Sequence, residues 1–151
     1  MKIVIQRVKN AHVSVEHEKV GEISEGFVLL VGFVEGDTEK DYQKAADKIA
    51  GIRLFDDENG VMNRSIIDIK GAILSISQFT LAADAKKGNR PSYIQAMEPH
   101  QANQFYQAFN QHLRGHGIVV EEGVFQADMK VSLVNDGPVT IILNIENGKV
   151  I

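Results

Sequence analysis

The chain has 151 residues, is 44% hydrophobic and carries a formal net charge of −4. This length suffices for one core and no linker-like stretch divides it, so we expect a single domain over residues 1–151. The negative charge argues against sequence-independent binding of DNA or other nucleic acids, but it does not exclude a local basic patch. Without cysteine, a signal-peptide pattern or a membrane-spanning segment, the chain is expected to be cytoplasmic, with no disulfide and no membrane partner.

The first strand patterns lie at residues 2–8 and 11–16, which predicts an opening hairpin with residues 9–10 as its connection. The run at residues 27–33 is apolar on both alternating faces, which is typical of a strand in the centre of a sheet. Further strands are predicted at residues 53–55, 72–79, 118–121, 124–134 and 139–145.

Two amphipathic helices are predicted between these strands. Asp37 or Thr38 can cap the first helix, and the second begins near Pro99 and ends at Gly115 and Gly117. Two helices with seven or eight strands predict an α+β domain whose sheet is mostly antiparallel and curved or barrel-like.

Residues 135–140, with the sequence NDGPVT, separate the last two strand patterns. Asn, Asp, Gly and Pro are favoured in turns, so the composition alone predicts a β-turn that joins two strands. The alternative is that Gly137 and Pro138 present carbonyl oxygens to a ligand, because Gly permits close approach and Pro permits a cis peptide bond.

No pattern for a metal, a phosphate-binding loop or a serine hydrolase stands out: HExxH, GxSxG, GxGxxG and P-loop sequences are all absent. His112 and His116 have the spacing of helical metal ligands, but Gly115 and Gly117 end the helix between them. We interpret this pair as a solvated helix terminus and expect neither a metal nor a cofactor.

Residues 77–80, with the sequence SQFT, place two hydroxyls, an amide and an aromatic ring at the end of a strand. In the simpler interpretation Phe79 is a core residue and its polar neighbours end the strand through local hydrogen bonds. In the functional interpretation the N–H groups of Phe79 and Thr80 stabilise an oxyanion, or Thr80 is a nucleophile. A nucleophilic Thr needs a base, and the sequence nominates none.

The segments SQFTL at 77–81 and NDGPVT at 135–140, with KGNRPSY at 87–93 and QRV at 6–8, resemble those of the D-aminoacyl-tRNA deacylases. The similarity covers essentially the whole chain. It implies a homodimeric carboxylic ester hydrolase for chiral proofreading, which acts on the aminoacylated CCA end of tRNA. Such an enzyme removes D-amino acids, and glycine mischarged on alanine tRNA, and leaves L-aminoacyl-tRNA for translation.

The resemblance also assigns roles to residues. Ser77 and Gln78 would line the pocket for the terminal adenosine and the ester, with the backbone of Phe79 and Thr80 near the developing oxyanion. The ribose 2′-hydroxyl would assist hydrolysis, which accounts for the missing acid, base and metal. Two residues that share one face of a predicted strand are further candidates for packing on the adenosine: Phe125 and Met129.

In the same resemblance, Gly137 and Pro138 would form a cis dipeptide that enters the partner subunit's pocket. Their carbonyl oxygens would hold the substrate amino group, and an L side chain would collide with the dipeptide. Arg7 would brace this gate. Selection would therefore work by rejection, and glycine, which has no side chain, would pass.

The loop at residues 85–92 is the most basic part of the chain and offers phosphate contacts through Lys86, Lys87 and Arg90. Two other functions stay open at this point. One is an esterase or amidase in which Thr80 is the nucleophile, and the other is a non-catalytic dimeric module that binds RNA ends on a β surface.

Overall fold

The computed structural model describes residues 1–151 and contains nine strands, two α-helices and one 3₁₀ turn. The strands are β1 Lys2–Val15, β2 Glu18–Ile23, β3 Gly26–Gly32, β4 Phe55–Asp56, β5 Met62–Arg64, β6 Ala72–Ser77, β7 Val119–Glu122, β8 Lys130–Glu146 and β9 Lys149–Val150. The helices are α1 Glu39–Gly51 and α2 Pro99–Gly115, and the 3₁₀ turn is Phe79–Ala82. No helix is both long enough and apolar enough to cross a membrane.

The main sheet has the strand order β7-β6-β3-β1-β8-β9, and β2 pairs with the C-terminal part of β1, from Ala11 to Val15. It curls into a half-barrel, which confirms the predicted α+β class. The β3–β6 and β6–β7 pairs are parallel, and all other pairs are antiparallel. Parallel neighbours need long crossover connections, and here α1 and α2 lie in those connections.

The sheet buries residues on both faces. The larger core contains 23 buried residues and joins the sheet to both helices. The smaller core of seven residues includes Val28 of β3 and Leu74 of β6, whose neighbours Phe27 and Ile73 belong to the larger core. The double-sided burial of β3 confirms the central strand that its continuous apolar run predicts.

Both helices begin where the sequence predicts. Thr38 is the N-cap of α1, and its N–H donates to the Asp41 carboxylate over 2.7 Å. Pro99 is the first residue of α2, and the Glu98 carboxylate accepts from the N–H groups of His100 and Gln101 over 2.8 and 2.9 Å. These acceptors satisfy donors that a helix start leaves without partners.

The predicted opening hairpin is wrong, because β1 runs without a break from Lys2 to Val15. β8 pairs along both halves of β1 and holds residues 9–10 as a bulge in a continuous strand. The first hairpin instead joins β1 to β2 through Glu16 and His17, both of which have positive φ.

The predicted β-turn at residues 135–140 is also wrong. These residues lie inside β8, and residues 136–139 oppose Arg7 alone between two neighbouring pairs of the β1–β8 ladder. The chain therefore keeps its direction through a large bulge, in which four residues of β8 oppose one residue of β1. The predicted strand at 124–134 starts only at Lys130, since residues 124–129 form an irregular connection.

Candidate active site

A pocket of about 810 Å³ opens where β6 ends, between the start of α2 and the irregular connection before β8. Five residues that the sequence nominates line it: Ser77, Gln78, Phe79, Phe125 and Met129. Phe125 lies 6.0 Å, ring to ring, from Tyr106 of α2, whose hydroxyl donates to the Ser75 carbonyl. Burial raises the pKa of Tyr106, so this hydroxyl stays protonated and keeps its hydrogen bond.

The 3₁₀ turn follows directly from β6 and is held against the end of β3. The Gln78 N–H donates to the Val31 carbonyl over 2.7 Å, and a Cβ at Gly32 would lie only 2.8 Å from the Gln78 carbonyl oxygen. Phe79 and Thr80 open the turn, so their N–H groups have no acceptor within it. The position of these two donors is therefore set by contact with β3.

Phe79 is 61% exposed, so the interpretation that makes it a core residue is wrong. The backbone changes course at Gln78, and the alternation of strand faces ends there. The Phe79 ring meets the ring of Tyr93 edge to face, with 5.3 Å between centroids. These two rings form an aromatic wall that a flat ligand such as a nucleobase could contact.

Thr80 does not line the pocket, and its hydroxyl has an amide as its neighbour. The Gln78 side chain donates through Nε2 to Thr80 Oγ1. An amide N–H cannot accept a proton, so this partner does not activate Thr80 as a nucleophile.

The basic loop lies beside the pocket and not inside it. Backbone hydrogen bonds of 2.8 and 2.9 Å between Asp84 and Ser92 close the loop, and Tyr93 follows at the pocket wall. Its three cationic side chains are exposed and absent from the lining: Lys86, Lys87 and Arg90.

The sequence does not reveal the acidic part of the lining, which consists of Glu35, Glu98 and Asp128. No Lys or Arg lines the pocket. Glu98 is engaged at the start of α2, and the hydrogen bond from the His100 N–H is the main reason why its pKa lies below the usual range. The pocket therefore suits a cationic group better than a phosphate.

The Gly137–Pro138 peptide bond is cis, and both residues are exposed. Neither lines the pocket of its own chain. Arg7, which is only 7% exposed, lies beneath them: its Nε donates to the Asp136 carbonyl over 3.1 Å and its guanidinium also donates to the Leu54 carbonyl over 2.7 Å. Arg7 thus ties the bulge to a second segment of the chain.

The polar residues of the NDGPVT segment close the bulge from the other side. Asn135 Nδ2 donates to Gln6 Oε1 over 2.7 Å, and Asn135 Oδ1 accepts from the Val139 N–H over 3.2 Å. The Thr140 hydroxyl also donates to Gln6 Oε1. The Asp136 carboxylate lies 3.5 Å from both Arg7 Nε and Lys9 Nζ, so each polar side chain of the segment has a partner that fixes the path of the backbone.

A family model described as D-Tyr-tRNA(Tyr) deacylase matches residues 4–144. The chain belongs to this family. A protein from Lactobacillus delbrueckii subsp. bulgaricus named D-aminoacyl-tRNA deacylase is 54% identical over 145 residues, 96% of this chain and 100% of that protein. A protein of the same name from Exiguobacterium sibiricum is 55% identical over 143 residues, 95% of this chain and 99% of that protein.

Two solved structures share the fold of this chain. The structure named c-Myc DNA Unwinding Element Binding Protein superposes with a TM-score of 0.90 at 40% identity, over 95% of this chain and 98% of that one. A structure described as a probable eukaryotic D-amino acid tRNA deacylase superposes with a TM-score of 0.81 at 15% identity, over 93% of this chain and 97% of that one, and shows the fold alone. The family expected from SQFTL and NDGPVT is confirmed, as is the enzyme class, a deacylase.

Proposed function

We propose that this protein hydrolyses the ester bond of D-aminoacyl-tRNA in the cytoplasm and leaves L-aminoacyl-tRNA intact. One observation carries the proposal. The Phe79–Ala82 turn begins at the pocket wall with Phe79, and the N–H groups of Phe79 and Thr80 have no acceptor within the turn. In a deacylase, such donors can stabilise the oxyanion of a tetrahedral intermediate.

The chemistry needs little more than positioning. Water attacks the ester carbonyl, the carbonyl oxygen gains negative charge beside the Phe79 and Thr80 N–H groups, and the ribose 3′-oxygen leaves with a proton. The neighbouring 2′-hydroxyl of the substrate is placed to assist that transfer. An aminoacyl ester is already labile, so oriented donors and excluded solvent can supply the acceleration.

The electrostatics of the pocket favour the aminoacyl end of tRNA. Glu35 and Asp128 attract the substrate ammonium group, and the aromatic wall of Phe79 and Tyr93 offers a surface for the terminal adenine. Since no cationic side chain lines the pocket, tRNA phosphates are held outside it.

The chiral gate, in this proposal, comes from a second copy of the chain. Gly137 and Pro138 are exposed and do not line their own pocket, so a homodimer is needed to bring them to the substrate. Exposed apolar side chains on the same strand support such a contact: Leu133, Val134 and Ile142. The backbone of the gate accepts hydrogen bonds from the substrate ammonium group and blocks an L side chain, so glycine on alanine tRNA is also a substrate.

The direct test is single-turnover hydrolysis of D-tyrosyl-tRNA, L-tyrosyl-tRNA and a free D-tyrosine ester by the dimeric protein. We expect rapid hydrolysis of D-tyrosyl-tRNA only. Equal rates on the free ester would favour a general esterase, and no turnover of D-tyrosyl-tRNA would contradict the proposal. Glycyl-tRNA(Ala) should be cleaved, and a tRNA that ends in 2′-deoxyadenosine should react far more slowly.

Thr80→Ala is expected to keep most of the activity, with a loss of less than about tenfold in single-turnover rate. The donor at this position is a backbone N–H, which the substitution retains, and the hydroxyl already accepts from Gln78. A collapse to the uncatalysed rate in a folded dimer would establish the Thr80-nucleophile mechanism instead.

Replacing Lys86, Lys87 and Arg90 together by Gln is expected to raise KM for D-tyrosyl-tRNA without changing the preference for D over L. These exposed cations flank the pocket and can contact tRNA phosphates. Loss of three contacts should reduce the slope of log KM against log salt by about 2.

The matched control carries Gln at three exposed lysines of α1, namely Lys40, Lys44 and Lys48, and has the same net charge. This control should keep the salt slope of the wild type. Equal slopes in the loop variant and the wild type would show that the loop does not contact tRNA.

A further inference from the structure

Asp47, His112 and His116 converge on the surface where α1 and α2 pack side by side, and their candidate ligand atoms lie within 4.8 Å of one another. Asp47 Oδ1 lies 3.0 Å from His112 Nε2 and 2.7 Å from His116 Nε2. The two imidazole rings are 5.7 Å apart, centroid to centroid. This cluster has no part in the deacylase site.

The helix ends between the two histidines, as the flanking glycines predict, but both rings still reach the same carboxylate. α2 ends at Gly115, and His116, its C-cap, has φ −81° and ψ 1°, in the bridge region that borders the helical one. Its side chain therefore stays on the same face as His112, one turn earlier. Gly117, at φ +84°, turns the chain away only after both rings are placed.

No Lys or Arg side chain forms an ion pair with the Asp47 carboxylate. The side chains that contact the Asp47 carboxylate are the two histidines. Arg114, which lies between them in sequence, points elsewhere and donates to the Val120 carbonyl over 2.7 Å. More than half of the Asp47 side chain is exposed, so its carboxylate is open to a metal ion.

We propose that Asp47, His112 and His116 form an interhelical site for a divalent transition-metal ion of the Zn²⁺ or Ni²⁺ type. Two imidazoles and one carboxylate are a ligand set that such ions prefer over Mg²⁺ or Ca²⁺. Tetrahedral Zn²⁺ with bonds of 2.0–2.2 Å keeps its ligand atoms about 3.3 Å apart. The three candidate atoms lie 2.7 Å apart at the closest and within 4.8 Å of one another, so side-chain rotations can bring them to that spacing. Water completes the coordination, since all three side chains are partly exposed.

The role of this ion is structural. Asp47 comes from α1 and both histidines come from α2, so the ion cross-links the two helices that cover the larger core. His112 lies ten residues after Ala102, the last residue of α2 that lines the pocket, which places it about 15 Å along the helix. Metal binding should therefore stabilise the fold and leave the chemistry unchanged.

The test is the melting temperature of the chelator-treated protein with and without a small excess of ZnCl₂. We expect Zn²⁺ to raise Tm of the wild type by about 5 °C or more, and MgCl₂ to have no effect. His112→Gln, His116→Gln and Asp47→Asn should each lose the Zn²⁺ shift while they keep the wild-type deacylation rate.

His100→Gln is the matched control, because it removes an exposed imidazole from the same helix outside the cluster. It should keep the full Zn²⁺ shift. Substitution of Zn²⁺ by Co²⁺ gives a second readout: one equivalent should produce visible absorption bands in the wild type and in His100→Gln only. No Zn²⁺ shift in the wild type, or a full shift in the three cluster variants, would overturn the proposal.

Discussion

Gly137→Ala is expected to lower single-turnover deacylation of D-tyrosyl-tRNA by about 10- to 100-fold and to reduce the ratio of D to L hydrolysis. Gly137 has φ +125°, a conformation that L residues rarely adopt. An added Cβ would lie 2.8 Å from Val139 Cγ2, 3.0 Å from the Val139 nitrogen and 3.1 Å from the Arg7 guanidinium. The bulge must move, and the carbonyl oxygens proposed to hold the substrate amino group move with it.

Gly60→Ala is the control for this variant. Gly60 also has positive φ, +74°, but nothing lies within 4 Å of its added Cβ. The Gly60→Ala substitution introduces backbone strain in a distant turn, and it should leave the rates of D- and L-tyrosyl-tRNA hydrolysis unchanged. If Gly137→Ala remains a folded dimer with wild-type rates and a wild-type ratio, the bulge is not the gate.

Gly32→Ala is expected to lower the rate of D-tyrosyl-tRNA deacylation by about 100-fold, with a small change in KM. The new Cβ would lie 2.8 Å from the Gln78 carbonyl oxygen and 2.9 Å from Leu81 Cβ, so the Phe79–Ala82 turn must shift. A displacement of about 1 Å at a reacting centre can cost a factor of about 100. The measurement is single-turnover kinetics at saturating enzyme.

Gly51→Ala provides the comparison for Gly32→Ala, because a Cβ at Gly51 meets nothing within 4 Å and needs no unusual φ. Both variants should stay folded, and only Gly32→Ala should lose activity. A wild-type rate for a folded Gly32→Ala dimer would show that the position of the turn does not control catalysis.

Much of the fold follows from sequence patterns, because the spacing of apolar residues within one segment indicates whether one or both of its faces are buried. The run 27–33 and the capped starts of α1 and α2 are found where they are predicted. The errors at residues 9–10 and 135–140 have one cause. The partner strand decides whether a polar interruption becomes a turn or a bulge, and β1 and β8 are more than 100 residues apart.

In the candidate site, too, local sequence patterns predict some residues, and contacts between distant segments supply the others. Ser77, Gln78 and Phe79 are found in the pocket lining, and the motif that contains them is contiguous. Phe125 and Met129 also line it, although the strand on which they were predicted does not form there. Glu35 and the start of α2 enter the site only through tertiary packing, including the hydrogen bond between the Glu35 N–H and the Gln95 carbonyl. No local pattern carries that contact.

The central claim, that one subunit supplies the pocket and the other supplies the gate, is tested most directly by a mixed dimer. One chain carries Gly32→Ala and its partner carries Gly137→Ala, with different affinity tags so that only heterodimers are purified. One of the two sites then combines an intact pocket with an intact gate from the other chain. We expect the heterodimer to recover about half of the wild-type rate, although each homodimer is nearly inactive. A heterodimer no more active than its parents would show that pocket and gate must belong to the same chain, and would contradict the account.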